Sequence, residues 1–387
     1  MTIAAHFEPR GMLVLVAGIK GAIGTTLAAL VEALRHEPGA LLPHLTTADL
    51  FTDLLPTDRI RVAGWDTVSE EMSQCALRNR VLPEAVERRY EAALEKVPVV
   101  CPEADAAGLA QQVERILADI DGFRRRWPDS LPVMVNLLPA AASPSGIDDL
   151  DLGRVYSEVP AGVLPDLAYA VAAIRAGIPF VNFTPNRVEI PAVTSLAEEN
   201  GVPMAGRDGK TGQTYFKIVL AEALKARGLY VDGWYSLNIL GNEDGRNLMD
   251  PARAQGKLAN KTDILDRVLG YAVGERYGHP THRVRIEYYP PRGDAKEAWD
   301  VVDFLGVFGL PMSIRFNLQG RDSILAAPMV LDLVRWMTVL AALGKKGPVP
   351  ELGFFFKTPV GPAAPQRFTE QLAALDKLKA EVAARLT

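Results

Sequence analysis

Lysines, amides, acids and glycine turns crowd the segment from Gly206 to Lys296. It opens on Gly206-Arg207-Asp208-Gly209-Lys210-Thr211-Gly212-Gln213-Thr214, which reads as a strand exit, a glycine-rich turn and a helix start. Hydroxyls, a side-chain amide and backbone N–H groups at Thr211, Gly212, Gln213 and Thr214 are donors that suit a phosphate monoester. The same four residues also suit a plain helix start with an incomplete capping box. Gly241-Asn242-Glu243-Asp244-Gly245 follows. Lys257 and Lys261 then share one face of a helix whose start is marked by Asp250-Pro251. Such a pair serves either a solvated face or a bound oxyanion. Asp294 and Lys296 read as the start of another helix, after a strand from Arg283 to Tyr289. Lys357 ends the apolar run Gly353-Phe354-Phe355-Phe356, read as a strand whose exit points at a sheet's functional edge. A phosphate-bearing substrate and an oxyanionic intermediate need this set of groups.

The elements that must position them begin with Met12-Leu-Val-Leu-Val-Ala17, an unbroken apolar run of strand length. Gly18-Ile19-Lys20-Gly21-Ala22-Ile23-Gly24-Thr25 follows, and a helix from about Thr25 to Arg35. Strand, glycine turn and helix aim N-terminal amides at a pyrophosphate, as in dinucleotide-binding folds. Any tight turn between strand and helix has a similar look. Lys20 stands at the second glycine position of the usual G-x-G-x-x-G, where it either crowds a phosphate or pairs with it. Asp66, after the strand from Arg59 to Ala63, is a candidate acceptor for ribose hydroxyls or a cap for the next helix.

Further strands at Leu131–Leu137, Ile178–Phe183 and Val202–Ala205 alternate with helices, which predicts a parallel sheet with right-handed crossovers. After Gly206 the pattern changes. Long strands at Tyr230–Leu240, Arg283–Tyr289 and Met312–Leu318 predict an open, largely antiparallel sheet with one face exposed or packed on a partner.

Composition narrows the function classes. The chain has 387 residues, enough for two cores, and a net charge of −5 that offers nucleic acid no basic footprint. Two cysteines, Cys75 and Cys101, are too few for a disulfide scaffold, so a reducing cytoplasm is expected. The first ten residues lack the pattern of a signal peptide. The apolar stretch Ser323–Leu343 contains Asp332 and Arg335, which suits a core helix better than a membrane span. The five histidines show no metal-ligand spacing.

Taken together and in order, these stretches resemble the myo-inositol-1-phosphate synthase family. The resemblance rests on Gly64-Trp65-Asp66, on the region from Asp166 to Asn186, and on Gly206-x-Asp208-x-Lys210-Thr211-Gly212-Gln213-Thr214. It continues through Leu240-Gly241-Asn242-x-Asp244-Gly245-x-Asn247-Leu248 and the pair Lys257 and Lys261. Gly293-Asp294-x-Lys296, Asp322-Ser323-Ile-Leu-Ala-Ala-Pro328 and Phe356-Lys357-x-Pro359 complete it.

The resemblance implies an α/β fold: a Rossmann-like doubly wound parallel sheet with an inserted α+β catalytic and oligomerisation domain on an open sheet. Residues 1–206, completed by 323–387, would bind NAD. Residues 207–322 would carry catalysis and form a homotetramer. The implied reaction takes D-glucose 6-phosphate to 1D-myo-inositol 3-phosphate by oxidation at C5, enolisation, aldol closure and re-reduction. By resemblance Lys257, Lys261, Lys296 and Lys357 stabilise oxyanions, with Asp294 positioning Lys296. Thr211, Gly212, Gln213 and Thr214 would hold the phosphate, with Asp208 and Asn242 orienting the sugar. Gly18, Lys20, Gly21, Ala22, Ile23, Gly24, Thr25, Asp66, Asp322 and Ser323 would bind the cofactor. Crowding of the four lysines is expected to depress the basicity of some of them. Family members often use a monovalent or divalent cation near the cofactor, and no ligand spacing here decides that point.

Three departures bear on the substrate. Lys20 replaces a glycine, Arg207 stands where the family has an acid, and Glu243 stands where it has an amide. Arg207 and Glu243 would compensate each other if paired, or would read a different sugar phosphate. The other readings are therefore a relative making another carbocycle by the same chemistry, and an NAD-binding relative without turnover.

Overall fold

The structure is a computed structural model, and it describes residues 7, 8, 10–102, 108–141, 144–160, 162–249 and 264–386. Two sheets organise it. The first has seven parallel strands: β1 (Gly11–Ala17), β2 (Ile60–Trp65), β3 (Val99–Val100), β4 (Ser130–Asn136), β5 (Phe180–Asn182), β6 (Pro203–Gly206) and β11 (Gly347–Pro348). Their spatial order is β11-β6-β5-β4-β1-β2-β3, so the order reverses at β1 and β4. In such sheets ligands bind at the carboxyl ends of the strands beside that reversal.

Both faces of this sheet are covered, which explains why β1 reads as a continuous apolar run. Met12, Val14 and Val16 enter one core, and Leu13, Leu15 and Ala17 enter the other. The first core also receives α1 (Ala22–His36), α6 (Asp322–Ala342) and α7 (Phe368–Leu386). The second receives α3 (Leu109–Arg126) and α4 (Asp166–Arg175). A short helix, α2 (Met72–Asn79), flanks the cofactor-type loop.

Helix α6 is the one described helix long and apolar enough to cross a membrane, and 72% of its apolar window is buried inside the protein. Its charged side chains are hydrogen-bonded locally. Asp332 accepts hydrogen bonds from the backbone and hydroxyls of Thr46 and Thr47, and Arg335 donates to Thr47. That pairing is why an aspartate and an arginine sit in mid-helix, as expected of a core helix.

The second sheet runs β10-β9-β7-β8, from β7 (Tyr230–Leu240), β8 (His282–Tyr288), β9 (Ala295–Leu305) and β10 (Pro311–Arg321). β10, β9 and β7 are antiparallel neighbours, while β8 joins β7 in parallel. One face packs on α5 (Gln213–Ala226) through Ile218, Ala221, Trp234 and Val302. Trp299 and Tyr235 stand half exposed on the sheet, and Phe308 is 93% exposed at the β9–β10 hairpin tip.

Two local expectations are corrected. Asp294 and Lys296 do not open a helix: Ala295 begins strand β9. Gly353-Phe354-Phe355-Phe356 is not a strand either, because Pro350–Phe355 forms a 3-10 helix with Pro at its first turn.

Candidate active site

The turn after β6 carries the first part of the site. A Cβ on Gly206 would lie 2.1 Å from Glu189 Oε1, so any larger residue there would have to displace that buried carboxylate. Asp208 follows in the left-handed region at φ +64, a conformation that Asp tolerates better than most residues. Its backbone N–H donates to Thr184 O at 2.9 Å, and its C=O accepts from Lys357 N at 2.7 Å. Lys357 Nζ donates to Asp208 Oδ1 at 2.7 Å, so this turn and the lysine are joined twice.

Helix α5 starts directly after this turn. Its N-cap is Gly212, which offers no side-chain hydrogen bond. The first-turn amides of Gln213 and Thr214 therefore face an unfilled end of the helix, where an anion is stabilised. Thr211, Gly212, Gln213 and Thr214 line a cavity together with Lys296, Asp322, Lys357, Leu240, Leu248 and Ile286. The Gln213 side chain is otherwise engaged: its Nε2 donates to Asp300 Oδ2 at 2.7 Å. Its contribution to an anion here is the backbone N–H.

Strand β9 brings in Lys296, and the junction of β10 with α6 brings in Asp322. Lys296 Nζ donates to Asp322 Oδ2 at 3.0 Å, and Thr211 Oγ1 donates to Asp322 Oδ1 at 2.9 Å. Burial by itself would raise the Asp322 pKa. Lys296, Lys357 and Thr211 outweigh that and hold the carboxyl well below its usual range.

Asp294 behaves oppositely. Asn242 Nδ2 donates to its Oδ1 at 3.2 Å and Ser323 Oγ at 3.1 Å. Its Oδ2 is buried with no hydrogen-bond partner among the described residues. Burial pushes its pKa up to about 6. Asn242 in turn caps the short helix Glu243–Asn247 by accepting Gly245 N at 3.1 Å. Asp294 thus holds Asn242 and Ser323, and the hydrogen bond that orients Lys296 comes from Asp322.

Lys257 and Lys261 lie outside the described residues. Burial does depress two other lysines. Lys210 is lowered to about 7, with Nζ donating to Gln371 Oε1. Lys217 is lowered to about 8 by burial, with Asp300 opposing and Lys296 adding to the effect. The main cause in both is desolvation, and neither belongs to the four lysines whose crowding was expected to act. Arg207 and Glu243 do not pair with each other. Arg207 lies 3.8 Å from the buried Glu189, and Glu243 lies 3.7 Å from Arg246.

A second constellation sits at the carboxyl ends of β1 and β2. Gly18 has φ +82, and a Cβ on it would lie 2.9 Å from Leu137 O in the loop after β4. A Cβ on Gly24 would lie 2.2 Å from Ile19 O. These glycines let the loop close onto the start of α1, whose N-cap Gly21 supplies no side-chain hydrogen bond. The Ala22, Ile23 and Gly24 amides are then the open first turn of a helix, beside Thr25. Asp66 accepts Lys20 N at 2.8 Å and Val68 N at 3.0 Å. Lys20 Nζ donates to Val68 O at 2.7 Å. Asn79, which sequence reasoning missed, donates to Lys20 O at 3.1 Å and to Thr25 Oγ1 at 3.2 Å. A glycine cradle, open helix amides and a fixed carboxylate after β2 together fit a dinucleotide. Among the described residues no group of three His, Cys, Asp or Glu side chains is placed to hold a metal ion.

A family model described as myo-inositol-1-phosphate synthase matches residues 212–323, which run from the phosphate-type turn through the second sheet to Ser323. Inositol-3-phosphate synthase 1 of Bacteroides thetaiotaomicron is 34% identical over 387 aligned residues, covering 90% of this chain and 89% of that one. The chain belongs to the myo-inositol-1-phosphate synthase family. The inositol-3-phosphate synthase of Spirodela polyrhiza is 31% identical, and this chain spans 61% of its length. Among solved structures, inositol-3-phosphate synthase from Caenorhabditis elegans superposes with a TM-score of 0.84 at 21% identity, covering 97% of this chain and 86% of that one. A myo-inositol-1-phosphate synthase-related protein from Thermotoga maritima gives 0.76 at 23% identity, covering 96% and 98%. Those two likenesses establish the fold of this family member.

Proposed function

We propose that this family member converts D-glucose 6-phosphate to 1D-myo-inositol 3-phosphate with NAD as a resident cofactor. The observation that carries this reading is one cavity lined by the Thr211–Thr214 turn, Lys296, Asp322 and Lys357. Gly18, Gly21, Ala22, Ile23, Gly24 and Thr25 would hold the pyrophosphate, with Asp66 at the ribose. Bound NAD would supply hydride acceptance at C5 and the hydride return that ends the cycle.

The residues of the chain do the rest. The amides of Gly212, Gln213 and Thr214, with the Thr211 hydroxyl, hold the sugar phosphate and fix the reacting carbons relative to Lys296 and Lys357. Once C5 is a ketone, the C6 proton is acidic, and its loss places negative charge on the C5 oxygen. The C6 carbon then attacks the C1 aldehyde, forming the C1–C6 bond and placing charge on the C1 oxygen, which takes up a proton. Each charge falls on a sugar oxygen that a fixed ammonium stabilises. Asp322 and Asp208 hold the two ammonium groups, and Asp294 holds Asn242 and Ser323, the latter next in sequence to Asp322. In this reading the seven-stranded sheet is the cofactor domain and the four-stranded sheet the catalytic one. Its exposed face would form a homotetramer in the cytoplasm.

The test is incubation of the purified protein and NAD with glucose 6-phosphate, followed by phosphorus NMR and product chromatography. An inositol phosphate formed without accumulation of NADH, and lost in Lys296→Ala, is the expected result. Absence of that product with cofactor bound would overturn the reading and direct the assay to other sugar phosphates.

A further inference from the structure

A buried polar network that the reaction does not use runs behind the phosphate-type turn. Asp300, 1% exposed, lies at its centre. Its Oδ1 accepts Trp234 Nε1 at 2.7 Å and also the Ser236 hydroxyl. Its Oδ2 accepts Gln213 Nε2 at 2.7 Å. Lys217 Nζ extends the network, donating to Ser236 Oγ at 2.8 Å and meeting His282 Nε2 at 2.9 Å. Gln213, Lys217, Ser236, Trp234 and His282 are all buried. A core of this kind is retained only where each polar group is satisfied, and the Asp300 carboxylate satisfies three of them.

The register makes this network relevant to the cavity. Asp300 and Lys296 are four residues apart on β9, so their side chains leave the same face of the strand. One of them points into the cavity as an ammonium. The other grips Gln213, the first residue of α5, whose backbone N–H belongs to the turn lining that cavity. A single strand therefore fixes the position of the helix start relative to Lys296. Because the Gln213 amide is spent on Asp300, removing that bond frees the first turn of the helix without removing any group that meets a ligand's phosphate.

We infer that Asp300 is a positioning residue for phosphate, acting through Gln213 to hold the α5 N-terminus at a set distance from Lys296. This rests on the proposed reaction for the identity of the sugar but on the turn alone for the phosphate.

The test is a double-mutant cycle in the full chain, with inorganic phosphate and glucose 6-phosphate as ligands measured by calorimetric titration. Asp300→Asn turns an acceptor into an amide that cannot satisfy all three donors. It is expected to weaken phosphate binding about tenfold, the loss of one hydrogen bond to a charged group. KM for glucose 6-phosphate should rise by the same factor with kcat little changed. Gln213→Met should weaken phosphate binding equally, and the double variant should be no worse than either single one. Additive losses, or unchanged phosphate affinity in a folded Asp300→Asn, overturn the inference. If Asp300→Asn does not fold, Gln213→Met alone decides: undiminished phosphate affinity overturns it. Failure of phosphate to bind the unsubstituted protein also overturns it. A protein that binds phosphate and passes the cycle but makes no inositol phosphate would sink the proposed reaction and leave the Asp300 assignment standing.

Discussion

Asp322 divides its carboxylate between two elements, accepting Thr211 Oγ1 at 2.9 Å through one oxygen and Lys296 Nζ at 3.0 Å through the other. The phosphate-type turn and the β9 ammonium are thereby held by one side chain at the start of α6. Charge-assisted bonds of this type are stronger and more directional than neutral ones. Asp322→Asn keeps the shape but cannot accept at both positions while presenting its amide. The expected outcome is a fall of about a hundredfold in kcat/KM for glucose 6-phosphate, the scale of losing one preorganised electrostatic group. Steady-state kinetics on the variant would check it, and activity within threefold of the parent would sink the idea.

Asp294 predicts the acid side of the pH profile. Burial raises its pKa to about 6, and its ionised form is the better acceptor for Asn242 and Ser323. Below that pH the carboxyl is neutral and its grip on Asn242 and Ser323 weakens. Product formation is therefore expected to fall as pH drops through about 6, and the limb should vanish from the residual activity of Asp294→Asn. A limb that persists unshifted in the variant would assign it to another group.

Much of this was legible because apolar runs and glycine turns are local signals. Met12 to Ala17 reads as a strand buried on both faces with a glycine turn after it, though the helix begins at Ala22, three residues before the expected Thr25. Strand β9 was not legible. Ala295-Lys296-Glu297-Ala298 contains helix-favouring residues behind an Asp, and the inward positions include the polar Asp300, which blurs the two-residue period. Pairing of β9 with β7 on one side and β10 on the other overrides the local preference. Lys217 could have been found: it precedes Ile218 and stands one turn before Ala221 and two before Leu224 on the buried stripe of α5. The Lys210 partner, Gln371, comes from a helix 161 residues later, and no spacing rule reaches that far.

Lys210 links this burial to stability. Its amine is held near 7 in the folded chain and returns to 10.5 when unfolded. Below about pH 7 it is charged in both states, and the folded state carries the full desolvation cost. Between about 7 and 10.5 the unfolded chain binds the extra proton, so this residue's contribution to stability rises with pH by an amount on the order of a few kcal/mol. Lys210→Met should flatten that rise. Thermal melts of the two proteins from pH 6 to 10 would check it, and parallel curves would refute it.

Gly24 ties the cofactor loop to helix α1. A methyl group there would sit 2.2 Å from Ile19 O, closer than any real Cβ contact, so the backbone of the loop or the helix start must move. The moving segment carries Ile19 and Lys20, whose backbone groups meet Trp65, Asp66 and Asn79. Gly24→Ala should therefore misalign the open amides of α1 with the Asp66 carboxylate. The expected outcome is NAD affinity lower by about tenfold or more, read by quenching of tryptophan fluorescence. Inorganic phosphate should bind the distant turn at Thr211–Thr214 with unchanged affinity. Retained NAD affinity in a folded variant would remove this loop from the cofactor site, and loss of both ligands together would mean the substitution had disturbed the whole fold.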